Sequence, residues 1–260
     1  MEFATTNTLK VLKIKSISKH FGGVKALNEL DLEVGEGDIF GVIGPNGSGK
    51  STLINVICGI FQPTKGDVVF YGQTISGKPT HQRLKTGIAR TFQNIRLFPN
   101  LTVWQNLWVA RNSVEDIKTE SSFYRWFGKS IIVKKEIEEM LEFSNLENRA
   151  DELASSLAFG EQRRLELARA VATKPRLLLL DEPAAGMNKD EIRDLDSRIR
   201  SLQLQGITII LIEHVMELVM GVTDRIAVLN FGSKIAEGNP QEIQKNEAVQ
   251  EAYLGYSEDD

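Results

Sequence analysis

The chain has 260 residues, of which 42% are hydrophobic and 25% charged, and its formal net charge is −4. This composition is typical of one globular domain with a sizeable core, and its mild acidity favours no nucleic-acid partner, so we predict none. No apolar run approaches the ~20 residues of a membrane-spanning helix, and residues 1–6 lack the features of a signal peptide, so we expect a cytoplasmic protein.

The first quarter of the chain has the hydrophobic pattern of β-strands. Apolar and polar residues alternate imperfectly over Leu9–Ser18 and more clearly over Leu27–Val34, and Asp67–Gly72 is another strand-like run that ends at glycine. Asp38–Ile43 is almost entirely apolar, which is typical of a strand buried on both faces. We therefore predict a β-rich N-terminal region that contains one deeply buried strand.

A glycine-rich segment of the form G-x-x-x-x-G-K-[ST] follows the buried strand directly. Its residues are Gly44, Pro45, Asn46, Gly47, Ser48, Gly49, Lys50, Ser51 and Thr52. The glycines let successive backbone N–H groups surround one anion, Lys50 brings positive charge to the outer phosphates, and the Ser51 hydroxyl can ligate Mg²⁺. Residues 51–58 continue as a helix whose N-terminus faces the same anion, and Gly59 is expected to end it. Strand, loop and helix in this order predict a nucleoside triphosphate site.

The middle of the chain and its last third differ in hydrophobic pattern. Helical apolar spacing extends from about Thr102 to Thr173. Apolar runs typical of buried strands then return at Leu177–Leu180, Thr208–Ile212 and Arg225–Leu229. The last two follow helical segments, which favours right-handed βαβ units, a mainly parallel sheet and a helical lobe inserted into an α/β core.

Polar residues stand at the ends of two of these strands. Asp181 and Glu182 follow the first strand, where a parallel sheet binds its ligands, so Asp181 could hold Mg²⁺ through water and Glu182 could act as the general base. Alone, this pair could equally be the solvated end of a strand, but the phosphate loop favours the catalytic interpretation. His214 follows another strand, and the pattern leaves open whether it is a structural group or contacts the ligand.

Taken together, these segments resemble the ATP-binding-cassette (ABC) ATPases over nearly the whole chain. The resemblance implies ATP and Mg²⁺ as cofactors, with metal contacts from Ser51, Gln93 and Asp181. It also implies that Gln93 reaches the attacking water, that His214 contacts the γ-phosphate, and that Phe21 stacks on adenine. Gln93, Glu182 and His214 are thus the expected catalytic residues.

The family signature, usually Leu-Ser-Gly-Gly-Gln, is altered in this chain. The matching segment has Ala158 in place of serine, Phe159 in place of glycine and Glu161 in place of glutamine, whereas Gly160 is kept. In the family this segment closes over the ATP that a second subunit holds. Because Ala158 lacks the serine hydroxyl, we expect closure to be weakened, but not abolished, since the helix that starts here can still present its N–H groups. A second interpretation is that this half-site is degenerate and works opposite a partner ATPase with a better signature.

Longer strings resemble the ATPase subunits of branched-chain amino-acid importers. They are the segments 157–170, 182–188, 212–214 and 252–255. This resemblance implies an ATP-hydrolysing subunit on the inner face of the membrane. Its expected partners are a second ABC ATPase, as homo- or heterodimer, two integral membrane permeases and, indirectly, an extracytoplasmic solute-binding protein. Residues 111–129 could be an insertion that contacts a partner, or their aromatic cluster could pack on Trp104 and Trp108.

The predicted fold class is α/β, a P-loop NTPase core with a mainly parallel sheet, an antiparallel β subdomain near the N-terminus and an inserted helical lobe. We divide the single ABC ATPase domain into a core (1–101 and 174–240), a helical lobe (102–173) and a C-terminal tail (241–260). Import of branched-chain or other hydrophobic amino acids is the expected function. The alternatives are another transported solute, a soluble ABC ATPase outside transport, and a regulatory nucleotide-binding module.

Overall fold

The computed structural model describes residues 9–112 and 122–254, without the side chains of residues 122–131 and 254. Its strands are β1 Lys10–Phe21, β2 Val24–Gly35, β3 Ile39–Ile43, β4 Lys65–Phe70, β5 Gln73–Thr74, β6 Ile88–Arg90, β7 Leu177–Asp181, β8 Thr208–Ile212, β9 Arg225–Asn230 and β10 Ser233–Gly238. Its α-helices are α1 Lys50–Cys58, α2 Thr80–Lys85, α3 Val103–Asn112, α4 Ser122–Ser144, α5 Phe159–Ala172, α6 Lys189–Leu204, α7 Met216–Val222, α8 Pro240–Gln244 and α9 Glu247–Leu254.

The N-terminal strands form an antiparallel sheet in the order β2-β1-β4-β5. The β1–β2 hairpin turns at Gly22, whose φ of 57° lies in the left-handed region that glycine adopts without strain. The inner faces of β1 and β2 bury an alternating set of apolar side chains, among them Leu12, Ile14, Leu30 and Leu32. The antiparallel subdomain that the sequence predicts is therefore confirmed.

A second sheet of six strands has the order β10-β9-β3-β8-β7-β6. Its pairs are parallel except for β9 and β10, which form an antiparallel hairpin. Strands β3, β7 and β8 are buried at every residue, as their apolar runs predict. Strand β10 was not predicted, because its residues are only partly buried and form no apolar run.

Helix α1 lies between the two sheets. Its apolar residues share one core with inner faces of β1, β2 and β4 and with one face of the six-stranded sheet. Helices α5, α6 and α7 cover the opposite face of that sheet. Packing on both faces fixes β3 and α1, and the loop between them lies at the carboxyl end of β3. The predicted P-loop NTPase fold is confirmed.

The helices between β6 and β7 have a core of their own, formed by residues of α3, α4 and α5. The buried Asn106 ties the start of this region together, since its amide donates to the carbonyl oxygens of Phe98, Leu101 and Thr102. The region between β6 and β7 thus has a core of its own, and the lobe boundaries at 102 and 173 stay a prediction. Within the described residues Trp104 and Trp108 stack on each other, whereas residues 113–121 and the aromatic side chains at 123–127 lie outside them.

The C-terminal helices α8 and α9 pack against the β9–β10 end of the large sheet. Ile243 and Val249 share a core with Ile43, Ile226 and Val228, so this part of the tail is folded onto the strand that leads into the phosphate loop. Over residues 9–112 and 122–254, no helix combines the length and the apolar character that crossing a membrane requires.

Candidate active site

The glycine-rich loop passes very close to two neighbouring strands. A Cβ added to Gly44 would lie 2.1 Å from the carbonyl oxygen of Leu229 in β9, and one added to Gly49 would lie 2.5 Å from that of Ala26 in β2. Both glycines also have positive φ angles, 149° and 105°. No other residue fits these two positions without displacing the backbone, which explains why the loop carries glycine there.

Lys50 is the first residue of α1, and its side chain is buried. Its ammonium group donates to the carbonyl oxygens of Gly44 and Pro45, at 2.7 and 2.9 Å. Burial lowers the pKa of Lys50, while the charges of Glu182 and Asp181 oppose that shift. The same loop and Glu182 line an open cavity of about 170 Å³, so one of the carboxylates predicted after β7 does reach the phosphate loop.

Asp181 ends β7 and is paired with Arg90 at the end of the neighbouring strand β6. The side chain of Arg90 is 11% exposed and that of Asp181 is 7% exposed, and Arg90 Nη2 lies 2.8 Å from Asp181 Oδ2. Burial raises the pKa of Asp181, and the adjacent guanidinium of Arg90 opposes that rise. Arg90 also donates to Asn55 of α1, at 2.6 Å. Arg90 could not be recognised from the sequence, because only the pairing of β6 with β7 brings it to Asp181.

Three residues that the sequence singled out meet at one carboxylate oxygen. Gln93 Nε2 donates to Glu182 Oε2 at 2.7 Å, and His214 Nδ1 lies 3.9 Å from the same oxygen. Glu182 has a φ of 48°, an uncommon left-handed conformation for a residue with a side chain. Such strain is kept where the surrounding structure enforces it, and here the Glu182 amide donates to the carbonyl of Ile212 in β8.

Glu213 is a buried carboxylate that sequence reasoning missed. Its oxygens accept hydrogen bonds from the backbone amides of Ala184, His214 and Val215. It therefore joins the loop after β7, which carries Glu182, to the loop after β8, which carries His214. The sequence did contain one signal for Glu213, since it is an acidic residue that directly follows β8 and precedes His214.

The signature segment begins α5. Because alanine has no side-chain acceptor, Ala158 leaves the first turn of α5 without the usual N-cap, although Glu161 accepts a hydrogen bond from the Ala158 amide at 2.9 Å. The Phe159 ring is half exposed and packs beside Gly186, and a Cβ added to Gly160 would lie 2.4 Å from Glu191. This segment thus packs on the loop after Glu182, and none of it lines the cavity at the phosphate loop.

Comparison with known proteins places this geometry in a family. The model described as ABC transporter matches residues 27–185, which include the phosphate loop, Gln93, the signature segment and Glu182. The chain belongs to the ABC transporter family. A second model, described as branched-chain amino acid ATP-binding cassette transporter, matches residues 233–259 of this ABC ATPase.

Curated relatives match the ABC ATPase over nearly its whole length. The high-affinity branched-chain amino acid transport ATP-binding protein BraF of Pseudomonas aeruginosa is 40% identical, covering 94% of this chain and 98% of the relative. The protein LivG of Escherichia coli, which carries the same description, is 41% identical with the same coverage.

Solved structures agree with the fold. The ADP conformation of MJ1267, an ATP-binding cassette of an ABC transporter, has a TM-score of 0.83 and 33% identity, covering 95% of this chain and all of that one. A dimeric post-hydrolysis state of the cassette MJ0796, bound to ADP and phosphate, has a TM-score of 0.76 and 25% identity, covering 88% and 98%.

Phe21 lies at the end of β1 in this ABC ATPase. Its ring is 42% exposed, meets Phe61 edge-on with centroids 5.1 Å apart, and has the Lys19 ammonium 5.0 Å from its centroid. The contact with Phe61 could not be predicted, because the two phenylalanines are forty positions apart in the chain. Phe21 does not line the phosphate-loop cavity, so adenine stacking by this ring stays a prediction.

The C-terminal helix α9 reaches the phosphate loop through Tyr253. Burial raises the pKa of the Tyr253 hydroxyl, and the backbone of Gly44 opposes that rise, which places the hydroxyl beside the first residue of the loop. This contact gives a structural role to Tyr253, one residue of the tail segment that resembles the importer ATPases.

Proposed function

We propose that this ABC ATPase hydrolyses MgATP to energise the import of branched-chain or other hydrophobic amino acids through separate membrane permeases. The observation that carries the proposal is the match of residues 233–259 to the branched-chain transporter model, which adds to the match of the ATPase core. Relatives of nearly equal length that are described as branched-chain amino acid transport proteins support it.

The residues at the phosphate loop fit ATP. The first N–H groups of an α-helix have no acceptor within the helix, and those of α1 face the loop cavity together with Lys50. The Ser51 hydroxyl, the Gln93 amide oxygen and the Asp181 carboxylate are the hard oxygen donors that Mg²⁺ prefers. They would hold the ion, which on binding supplies charge neutralisation at the phosphates.

Hydrolysis is assigned to the cluster at Glu182. Its carboxylate orients a water molecule and takes its proton as the general base. Gln93 holds Glu182 Oε2 through its amide, and His214 beside the same oxygen provides a donor for the outer phosphate. Glu213 fixes the backbone of the loops after β7 and β8, which orients Glu182 and His214 relative to each other.

The partners follow from the same assignment. The signature segment 158–161 would close over ATP held by a second ABC ATPase, either another copy or a different chain. The pair would act on two membrane permeases at the inner face of the membrane, with an extracytoplasmic binding protein delivering the solute. A dimeric cassette structure among the similar folds supports the pairing.

Ala158→Ser is expected to strengthen both the helix and the closed dimer. The serine hydroxyl can accept from the first-turn N–H groups of α5, which stabilises a helix by about 0.5–2 kcal/mol. It also adds a donor to the partner-held phosphate, and a hydrogen bond to a charged group contributes about 1.5–3 kcal/mol. Urea unfolding, ATP-dependent dimerisation and phosphate release measure these effects. If none of the three changed, the assignment of Ala158 would be wrong.

Reconstitution with permeases tests the proposed function. The ATPase, permeases encoded beside it and their binding protein are placed in liposomes, and uptake of labelled solutes is followed with ATP on the side of the ATPase. Accumulation of leucine, isoleucine or valine is expected. Accumulation of an unrelated solute alone would favour the alternative of another ABC importer, and absence of any permease complex would favour a role outside transport.

A further inference from the structure

The segment that carries Gln93 has no regular structure of its own. From Thr91 to Asn100 the backbone is neither helix nor strand, and the Gln93 side chain is exposed. Its hydrogen bond to Glu182 Oε2 is nevertheless one of the contacts on which the catalytic geometry depends. The position of Gln93 must therefore be set by groups that hold its backbone.

Those groups come from α5, the helix that starts with the signature segment. Arg163 donates from Nη1 to the carbonyl of Phe92 at 3.0 Å and from Nη2 to that of Gln93 at 2.6 Å. Glu166 pairs with Arg163 at 3.4 Å and accepts from the amide of Arg96 at 3.2 Å. Both side chains are nearly buried, with exposures of 7% and 6%, so this is an interior clamp.

Arg163 also contacts the signature itself. Its guanidinium lies 5.3 Å from the centre of the Phe159 ring, and it stands one helical turn after Gly160. Helix α5 thus carries the signature segment at its first turn. At its second turn it carries Arg163, which holds the backbone of Gln93. A displacement of the first turn necessarily moves the groups that hold Gln93 against Glu182.

We propose that Arg163 is a positioning residue that couples the signature segment to the catalytic base of the same chain through Gln93. The proposal rests on the proposed function, in which the signature meets ATP bound to the second subunit. Closure over that ATP would then align Gln93 and Glu182 for the ATP of this subunit. The planar guanidinium is suited to this role because it donates from two separate nitrogens held in a fixed fork, whereas a lysine ammonium is a single point donor on a flexible stem.

Arg163→Lys, which keeps the charge opposite Glu166, is the test variant. We expect kcat for ATP hydrolysis by the purified full chain to fall about tenfold to a hundredfold, as for a misplaced catalytic group. The Kd for ATP is expected to stay within about threefold, since the phosphate loop is not touched. Arg164→Lys is the matched control, because the neighbouring Arg164 donates to the carbonyl of Ser144 inside the lobe.

A double-mutant cycle separates positioning from a general structural effect. If Arg163 acts through Gln93, then Arg163→Lys costs less than about twofold in kcat once Gln93→Ala is present. The pair Arg163→Gln with Glu166→Gln removes both buried charges together and should lower kcat like Arg163→Lys. Wild-type kcat in both variants, or an undiminished cost in the Gln93→Ala background, would overturn the proposal. Absence of turnover by the wild type would instead contradict the proposed function.

Discussion

Glu182→Gln is expected to abolish steady-state ATP hydrolysis and to leave ATP binding intact. The glutamine has nearly the same shape but cannot take a proton from water, and general-base catalysis contributes about 10²–10⁴-fold to a rate. Its amide can still face Gln93, whose Nε2 lies 2.7 Å from the Glu182 carboxylate. Phosphate release and equilibrium nucleotide binding measure the two quantities separately.

The matched control for Glu182→Gln is Glu138→Gln, a surface substitution on α4 of the helical lobe. It also replaces a carboxylate by an amide, but at a position far along the chain from the phosphate loop. The rate of ATP hydrolysis should therefore stay unchanged. Turnover of the Glu182 variant within about tenfold of wild type would show that another group takes the proton. The role assigned to Glu182 would then be wrong.

Lys50→Ala is expected to weaken ATP binding by about tenfold to a hundredfold. A hydrogen bond to a charged group is worth about 1.5–3 kcal/mol, and each 1.4 kcal/mol corresponds to about a factor of ten in Kd. The ammonium group also holds the loop carbonyls of Gly44 and Pro45, so the variant loosens the loop as well. Titration calorimetry with ATP gives the change in Kd.

Lys245→Ala, at the end of α8, controls for the loss of one positive charge. It should bind ATP like the wild type. Thermal unfolding of both variants shows whether the fold is kept, which we expect because burial makes the Lys50 charge costly in the folded state. An unchanged Kd in Lys50→Ala would contradict the assignment of the loop as the phosphate site.

The fully buried strands and the first helix could be predicted from the sequence, because each is marked by a local pattern of residues. Strands β3, β7 and β8 are fully buried, so their residues must be apolar and each stands out in the sequence. The helix α1 begins at Lys50 and ends before Gly59, as the sequence predicts. By contrast, β6 has three residues and β10 is partly exposed, and neither leaves a pattern that periodicity can detect.

The supporting residues of the candidate site could not be predicted for a different reason. Glu213 holds the amide of Ala184, and Arg163 holds the carbonyl of Gln93, which is 70 positions away in the chain. Arg90 meets Asp181 only because β6 pairs with β7. Such roles arise from tertiary contacts between distant segments, whereas Glu182 and Lys50 are marked by the residues next to them.

The signature segment connects these findings to the proposed assembly. Its alanine leaves α5 without a side-chain N-cap, while Glu161 satisfies the amide of Ala158. The segment lies apart from the phosphate-loop cavity of its own chain, and its helix holds the backbone of Gln93. In the proposed dimer, each subunit would therefore sense the partner's nucleotide and adjust its own catalytic base.

Solute uptake by the reconstituted transporter is the decisive measurement of whether this ABC ATPase drives amino-acid import. Liposomes that contain the permeases and either the wild-type ATPase or its Glu182→Gln variant are supplied with ATP, binding protein and labelled leucine. We expect ATP-dependent leucine accumulation with the wild type and none with the variant. Equal accumulation with both, or wild-type hydrolysis without any uptake of branched-chain amino acids, would contradict it.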